Sequence, residues 1–298
     1  MKKSTEACSV DTATLRVAHN GGGSNGQVGI VEELIWTAED YRIDSTTAAK
    51  DKDTLNAGIE AGNVIVIGKV KPESKNTDAA FAEDAELNEK ELDTEATRAT
   101  GYQSKNCACT HAELLRMNGV NGRLIERTKK GFLKLRYDED GKLMGMLTSE
   151  FIVGLKTTPV AGTPIAYTPF DATFSDGEGD DKAPAEVKVD YSFKDLDKVE
   201  RLEGEIDTVA SNGTNLTFNL TLTQGCSDVA GAGAVKADMK VYGDDGTEIT
   251  TFTATESGST GVYAIDVTTA LTTVYIEING IRKIGGVNFL SDAFKAAV

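Results

Sequence analysis

The chain has 298 residues, with 47 Asp and Glu against 31 Lys and Arg, and its formal net charge is -16 at pH 7. This charge argues against a function that depends on neutralising phosphates, because proteins that bind nucleic acids gather Lys and Arg on one face. The longest apolar run, at residues 63–70, is far shorter than the roughly 18 residues of a membrane span, so no membrane insertion is expected.

The acidity of the chain has two interpretations. It keeps an abundant protein soluble, or it forms a surface that DNA passes without sticking, because like charges repel. The first residues, MKKSTEACSVD, contain two lysines with no apolar stretch behind them. No signal peptide is therefore predicted, and synthesis in a cytosol is expected. At this length the chain is expected to form two domains.

Residues 1–29 are polar and rich in glycine, which predicts a flexible N-terminal arm. Their segment HNGGGSNGQVG lacks the Gly-Lys-Ser/Thr ending of a phosphate-binding loop. The first strand is predicted at residues 28–36. It ends at Trp36, the only tryptophan of the chain, which is expected to anchor a core or a contact between subunits.

The four cysteines are interpreted as thiols, because the chain has no secretory signal. Cys107, Cys109 and His111 have a spacing that resembles a metal knuckle. Zinc needs four ligands and no second pair is visible, so no metal and no cofactor is predicted. Neither of the two histidines lies near a nucleophile in a recognisable motif. No catalytic residue is assigned, and the chain is predicted not to be an enzyme.

A short helix is predicted over residues 46–60, with Ser45 as its N-cap and Gly62 as its C-terminal stop. The strand that follows at residues 63–70 is apolar throughout and is expected to be covered on both faces. Residues 71–105 are acidic and contain few large apolar residues. They predict a long loop or a weak helix, which either reaches a neighbouring subunit or is solvated.

The clearest local signal is a hairpin. Two apolar-rich runs, at residues 132–137 and 143–147, flank an Asp-Gly turn, and Asp-Gly tolerates the positive φ angles of a tight turn. Further strands are predicted at residues 151–157 and 185–193. The turn is expected at a subunit contact, so the predicted assembly interface comprises Trp36, Asp138, Glu139, Asp140 and Gly141.

A second acidic turn lies at residues 176–181 and resembles a calcium loop. An EF-hand would have Gly at the sixth position and Glu at the twelfth, where Asp181 and Val187 stand. The turn is therefore interpreted as solvated, and it is also the candidate for an acidic loop that faces a lumen. Its candidate residues are Asp176, Glu178, Asp180 and Asp181.

Near residue 205 the composition becomes rich in Thr, Val, Gly and Ala. About seven short alternating segments, separated by Gly and Asp turns, are typical of a small immunoglobulin-like (Ig-like) sandwich, although the Cys and Trp markers of antibody domains are absent. The predicted fold is mainly β. A β-sandwich or barrel-like assembly domain with one or two short helices occupies residues 30–204, and a C-terminal Ig-like β-sandwich occupies residues 205–298.

The order of elements between residues 31 and 203 resembles structural proteins of tailed bacteriophages and related prophages. The likeness lies in a first strand at residues 30–36, a helix with a T-x-A-A-K-like turn and a strand within residues 48–67, the Asp-Gly hairpin at residues 133–148, and a segment at residues 187–196 that leads into Asp-Leu-Asp. It covers about two-thirds of the chain. An appended Ig-like domain fits the resemblance, because tail-tube and capsid proteins of phages often carry such domains.

The resemblance implies a non-enzymatic virion structural protein, assembled in the host cytoplasm. A tail tube or a ring-forming tail or neck component is favoured, with the chain itself as partner in a homo-oligomeric ring or tube such as a hexamer. Other virion proteins are expected as neighbours, and DNA is expected to pass without specific binding. The alternatives are a head-decorating or fibre protein, and an adhesin or carbohydrate-binding module of the cell surface. A module of that last kind would need an exposed aromatic platform.

Overall fold

In the computed structural model the described residues are 10–11, 16–17, 30–74, 81–83, 89–91, 98–105, 111, 114–154, 158–159, 166–174, 184–212, 214–225, 229–269 and 271–297. The chain divides into two compact units. The first comprises residues 1–58 and 63–196, and the second comprises residues 59–62 and 197–298. Both units are built mainly from β-strands, as the sequence predicts.

The first unit contains fourteen described strands and two described α-helices. The strands are β1 Val10–Asp11, β2 Arg16–Val17, β3 Val31–Thr37, β4 Val64–Ser74, β5 Phe81–Glu83, β6 Glu89–Glu91, β7 Arg98–Lys105, β8 Gly122–Thr128, β9 Phe132–Tyr137, β10 Leu143–Met144, β11 Met146–Val153, β12 Thr158–Pro159, β13 Ala166–Phe174 and β14 Pro184–Lys188. The helices are α1 Thr46–Lys50 and α2 Lys52–Glu60, and a 3₁₀ helix spans Phe193–Asp195.

The N-terminal arm predicted for residues 1–29 lies outside the described residues, apart from one short strand pair. Strands β1 and β2 pair antiparallel, with Val10 opposite Val17.

The core of the first unit is a closed ring of six antiparallel strands. Each strand pairs with the next in the order β3, β4, β7, β13, β11, β8, and β8 then pairs with β3 to close the ring. Each of the six strands therefore has a partner strand on both sides, which limits the open edges of the barrel. The apolar residues that pack together within this barrel core include Leu34, Trp36, Tyr102, Leu124, Phe151, Val153, Phe170 and Ala172.

Trp36 and Gly122 make the closest fit in this core. Trp36 is 7% exposed, and a Cβ atom at Gly122 would lie 2.3 Å from the Cε2 and Nε1 atoms of its ring. Only a residue without a side chain can occupy position 122 beneath the indole. Trp36 is thus a core residue, which is one of the two roles expected from the sequence.

A side sheet leaves the barrel at β8. The first half of β8 pairs with β11, and its second half pairs with β9 through Glu126 and Arg127. Strand β9 then pairs with β10 and with β14. The predicted Asp-Gly hairpin is therefore present, as the β9–β10 connection, with Leu143 opposite Tyr137.

The predicted helix over residues 46–60 occurs as two helices. Ser45 is the N-cap of α1, where its Oγ accepts a hydrogen bond from the N–H of Ala48 over 3.1 Å. The break falls at Asp51, whose backbone is extended and whose Oδ1 accepts from the N–H of Asp53 over 3.0 Å. This bond between a side chain and the backbone competes with continuation of the helix and starts α2 afresh.

The second unit contains ten strands among its described residues, and a 3₁₀ helix at Lys236–Asp238. The strands are β15 Val199–Ser211, β16 Leu216–Gln224, β17 Met239–Tyr242, β18 Glu248–Ile249, β19 Phe252–Glu256, β20 Val262–Val267, β21 Thr273–Ile278, β22 Arg282–Ile284, β23 Val287–Ser291 and β24 Phe294–Ala297.

These strands form a sandwich of two sheets. One sheet has the order β19-β20-β16-β15-β23-β22, and the other has the order β18-β17-β21-β24. If β15 is strand A, the first sheet contains A, B, E and D and the second contains C, F and G, which is the arrangement of an immunoglobulin-like fold. Residues Leu216, Phe218, Leu220 and Leu222 all point into the shared core, as their alternation predicts.

The division between the units falls at Leu196 and Asp197, whereas the sequence places a boundary between residues 204 and 205. Position 204 lies inside the continuous strand β15, which pairs with β16 from Leu202 to Ser211. The change in composition occurs later than the structural division because the first half of β15 carries the exposed charges Glu200, Glu203 and Glu205.

We expect Gly122→Ala to lower the free energy of unfolding by about 1–3 kcal/mol, because the added methyl overpacks the Trp36 ring. In a Trp36→Phe background the same change should cost less, since phenylalanine lacks the pyrrole atoms of the indole. The Trp36 Nε1 atom is buried without a hydrogen-bond partner, so its removal breaks no such bond. Urea unfolding of the four chains measures the coupling, and equal costs in both backgrounds would contradict the contact.

Candidate assembly surface

Strand β14 leaves one edge unpaired within the part of the chain that the structure describes. It pairs with β9 alone, from Pro184 opposite Arg136 to Lys188 opposite Phe132. The other outer strand of the side sheet, β10, has its second edge occupied by Ile43, which exchanges two backbone hydrogen bonds of 2.8 Å with Leu143. An unpaired strand edge is a template for pairing with another chain.

The hydrogen bond beyond β14 shows which of its groups face outward. The N–H of Val189 donates to the carbonyl of Gly131 over 2.9 Å, toward β9. Because N–H and C=O groups alternate along a strand, those of Val187 also point to β9, and those of Glu186 and Lys188 point to the unpaired edge. Within the described residues, no backbone carbonyl accepts from the N–H of Glu186 or Lys188.

The turn predicted as an interface is held in one conformation by Asp138. Its Oδ1 accepts from the N–H groups of Asp140 and Lys142 over 3.0 and 2.8 Å, and its Oδ2 accepts from Nε of Arg42 over 3.1 Å. Gly141 has a φ of +77°, which a residue with a side chain rarely adopts. Glu139 and Asp140 are exposed at the tip of this turn.

The electrostatic surroundings shift the titration of Asp138. Burial acts to raise its pKa, but the backbone hydrogen bonds from Lys142 and Asp140 and the Arg42 guanidinium outweigh burial and lower the pKa below 3.8. Asp138 is therefore a structural carboxylate of the turn. Its two neighbours Glu139 and Asp140 are the ones available for contact with another molecule.

The other sequence-predicted residues lie elsewhere. Asp176, Glu178, Asp180 and Asp181 fall outside the described residues, so the lumenal loop remains a prediction. Cys107 and Cys109 fall there as well, while the Nδ1 atom of His111 lies 2.9 Å from the Oγ1 atom of Thr168.

Two buried carboxylates, Glu33 and Glu126, lie on barrel strands near the side sheet, and neither was predicted as a functional residue from the sequence. Glu33 is 1% exposed and accepts hydrogen bonds from Nη1 of Arg127 over 2.9 Å, from the N–H of Phe193 over 3.1 Å and from the hydroxyl of Ser192. It thereby fixes the 3₁₀ helix against β3. A charged residue inside an apolar strand pattern is the only sequence feature that marks it.

The second buried carboxylate, Glu126, lies beside the barrel core. It accepts from the hydroxyl of Tyr102 over 2.6 Å and from Nζ of Lys134 over 2.8 Å. Burial and the adjacent Glu126 charge raise the pKa of Tyr102 well above its usual value, so the tyrosine stays protonated and donates. Lys134 belongs to β9, so this pair links the barrel strand β8 to the side sheet.

No group of three or more His, Cys, Asp or Glu side chains that could hold a metal ion occurs among the described residues. None of the described helices is long and apolar enough to cross a membrane. The large apolar side chains exposed in the first unit are scattered and few among the residues described there, namely Ile30, Ile65, Val120 and Ile152.

Comparison with known proteins adds little to this geometry. No protein-family model and no curated protein sequence matches the chain. Among solved structures, domains 4 and 5 of the S-layer protein SbsC align with 74% of this chain and 96% of their own length, at 17% identity and a TM-score of 0.14. A TM-score this low carries no argument about fold or function.

We expect Glu33→Ala to destabilise the chain by about 3–5 kcal/mol, because Arg127 and two further donors lose their buried acceptor. Glu32→Ala is the matched control from the same strand. Glu32 is 30% exposed and lies 3.7 Å from Lys69 and 3.9 Å from Arg127, so its removal should cost less than about 1 kcal/mol. Equal losses in urea unfolding would contradict the assigned role of Glu33.

The lowered pKa of Asp138 predicts a pH-dependent contribution to stability. Because the folded-state pKa lies below the unfolded value, the carboxylate stabilises the fold above about pH 4, and this stabilisation is lost as pH falls through the folded pKa. Asp138→Asn should therefore unfold at a lower urea concentration than the wild type at pH 7. The difference should narrow progressively below pH 4, and a constant difference would contradict the charge-based explanation.

Proposed function

We propose that this chain is a non-enzymatic structural subunit that assembles with copies of itself into a ring or tube. The observation that carries the proposal is the edge of β14 that has no partner among the described residues, next to a barrel in which each of the six strands has a partner strand on both sides. A fold whose barrel closes on itself and whose side sheet keeps one edge open among the described residues is suited to pairing with an identical neighbour.

Pairing at this edge would join side sheets of neighbouring subunits. The outward groups of Glu186 and Lys188 would donate to and accept from a strand of the next copy, as the strands of one sheet do. A ring forms if the β14 edge of each copy pairs with a different strand of the next copy by the same rotation, whereas two β14 edges that pair with each other would join only two copies. The number of subunits follows from that rotation, and a hexamer is one solution.

The resemblance to structural proteins of tailed bacteriophages supports a more specific proposal. We propose a virion protein, assembled in the host cytoplasm, that forms a tail tube or a ring of the tail or neck beside other virion proteins. The net charge of -16 suits a conduit for DNA. Like charges let a duplex pass, whereas a basic lining would bind phosphates at many points.

The alternative of a carbohydrate-binding module has weaker support. Such a module would present aromatic side chains to solvent from the sandwich. All seven aromatic residues of the second unit are described, and every one of them is buried or half-buried. They are Phe218, Tyr242, Phe252, Tyr263, Tyr275, Phe289 and Phe294. The head-decorating or fibre protein stays within the same structural class and differs only in its position on the virion.

The test replaces Glu186 with proline. Proline lacks the N–H that faces the unpaired edge, and it is tolerated in edge strands at positions whose N–H does not bond within the sheet. Glu186→Pro should therefore leave the subunit folded but prevent assembly. Glu186→Ala is the matched control, because it removes the same side chain and keeps the N–H.

Assembly is measured by light scattering and negative-stain imaging of the wild type and both variants, and circular dichroism checks their folding. We expect rings or tubes from the wild type and from Glu186→Ala, and folded single subunits from Glu186→Pro. A wild type that stays monomeric at high concentration would overturn the proposed function. Assembly by a folded Glu186→Pro variant would remove β14 from the contact.

A further inference from the structure

The two turns that flank β9 carry opposite charges. At its beginning, Lys129 and Lys130 form the exposed tip of the β8–β9 turn. At its end, Glu139 and Asp140 form the exposed tip of the β9–β10 turn. None of these four side chains makes an ion pair within the described part of the chain. The six residues of β9, at about 3.3 Å per residue, separate the two tips by roughly 20 Å.

The basic turn has a fixed conformation. The N–H of Gly131 donates to the carbonyl of Thr128 over 2.8 Å, and the N–H of Phe132 donates to the Oγ1 atom of Thr128 over 3.1 Å. Gly131 closes this three-residue connection with a φ of +79°. The two lysines are thus presented by a rigid hairpin, which lowers the entropy lost on binding.

A third lysine extends the basic surface. Lys188 donates to the carbonyl of Lys130, and its ammonium lies 5.0 Å from the centre of the Phe132 ring. Ile30 lies next to this turn, because its carbonyl accepts from the N–H of Lys129 over 2.9 Å, and it is 65% exposed. Asp190, close in sequence to Lys188, is also exposed. Because this surface carries three lysines and one aspartate, its net charge remains positive. A basic surface with an apolar residue beside it is unexpected in a chain with a net charge of -16.

We propose that the basic turn of one copy docks on the acidic turn of the next copy, head to tail. The occupant is a second copy of this chain, because each copy carries the complementary charge at the other end of the same strand. The two surfaces differ, so the contact is heterologous and can repeat from copy to copy. This inference rests on the proposed self-assembly and names a contact distinct from the β14 edge.

Charge reversal at each turn tests the contact. The variant Lys129→Glu/Lys130→Glu has two acidic turns, and the variant Glu139→Lys/Asp140→Lys has two basic turns. Each should repel itself and need about tenfold more protein to assemble, as expected for the loss of two exposed ion pairs. An equimolar mixture should assemble like the wild type, because every contact then joins an acidic turn to a basic one.

A matched control separates the contact from net charge. Lys52→Glu/Lys71→Glu reverses two exposed lysines elsewhere in the first unit and lowers the net charge by the same amount as Lys129→Glu/Lys130→Glu. It should assemble like the wild type. For the wild type and the mixture, high salt should weaken assembly, because the Debye length falls to about 3 Å at 1 M.

The outcomes distinguish the two proposals. Assembly of both charge-reversal variants at the wild-type concentration overturns the turn-to-turn contact and leaves the proposed function standing. Failure of the mixture to recover assembly also overturns the contact, since complementary turns would then be present without effect. A wild type that never assembles overturns both proposals. The contact is supported if each charge-reversal variant assembles poorly by itself, the equimolar mixture assembles like the wild type, and the control variant is unaffected.

Discussion

Strand β8 has two edges but three partner strands, and the architecture of the first unit depends on how these partners divide the two edges. One edge pairs with β3 from Arg123 to Thr128, and the other is divided between β11 and β9. The pairing with β11 closes the barrel. Strand β9 pairs with the other half of the same edge and lies outside the ring. The reason is that each position on one edge of a strand can pair with only one neighbouring strand. The side sheet follows from this division.

Buried charges are placed where the strands part. Arg123, at the β11 half of β8, is 2% exposed and donates to the carbonyls of Glu39 and Gly145 over 2.8 and 3.3 Å. Glu126 and Arg127, at the β9 half, pair with Lys134 and Glu33. A buried ion pair contributes little net stability but fixes one geometry, because any other arrangement leaves a charge uncompensated. Of these pairs, Glu126–Lys134 joins β8 to β9 where β9 leaves the barrel, and Arg127–Glu33 joins β8 to β3 inside it.

Local signals in the sequence predicted the parts of the fold that depend on neighbouring residues. The Asp-Gly turn, the Ser45 cap and the alternation at residues 216–222 could be predicted because a few adjacent residues determine each of them. The described parts of residues 71–105 were predicted as a loop or weak helix, and they form strands. The reason is tertiary, since β7 pairs with both β4 and β13, and a sequence without apolar alternation gives no sign of this.

The candidate site was predicted only in part for the same reason. The Asp138–Gly141 turn could be predicted from the sequence, because its residue types determine the turn locally. The open edge of β14 could not be predicted, because an open edge depends on which other strands do not pair with it. Trp36 could be predicted as an anchor. Its contact with Gly122 could not, because the two positions are 86 residues apart in sequence and meet only when β3 pairs with β8.

The two proposed contacts would make different contributions to assembly. Exposed ion pairs are each worth about 0–1 kcal/mol, so the charged turns alone would hold copies together only weakly. Pairing of strand edges supplies more free energy but little discrimination, because the backbone is the same in every residue. Charged turns at the two ends of β9 would reject a neighbour in the wrong orientation, since like charges would then meet. In an assembly of identical subunits, the edge would supply affinity and the turns would supply direction.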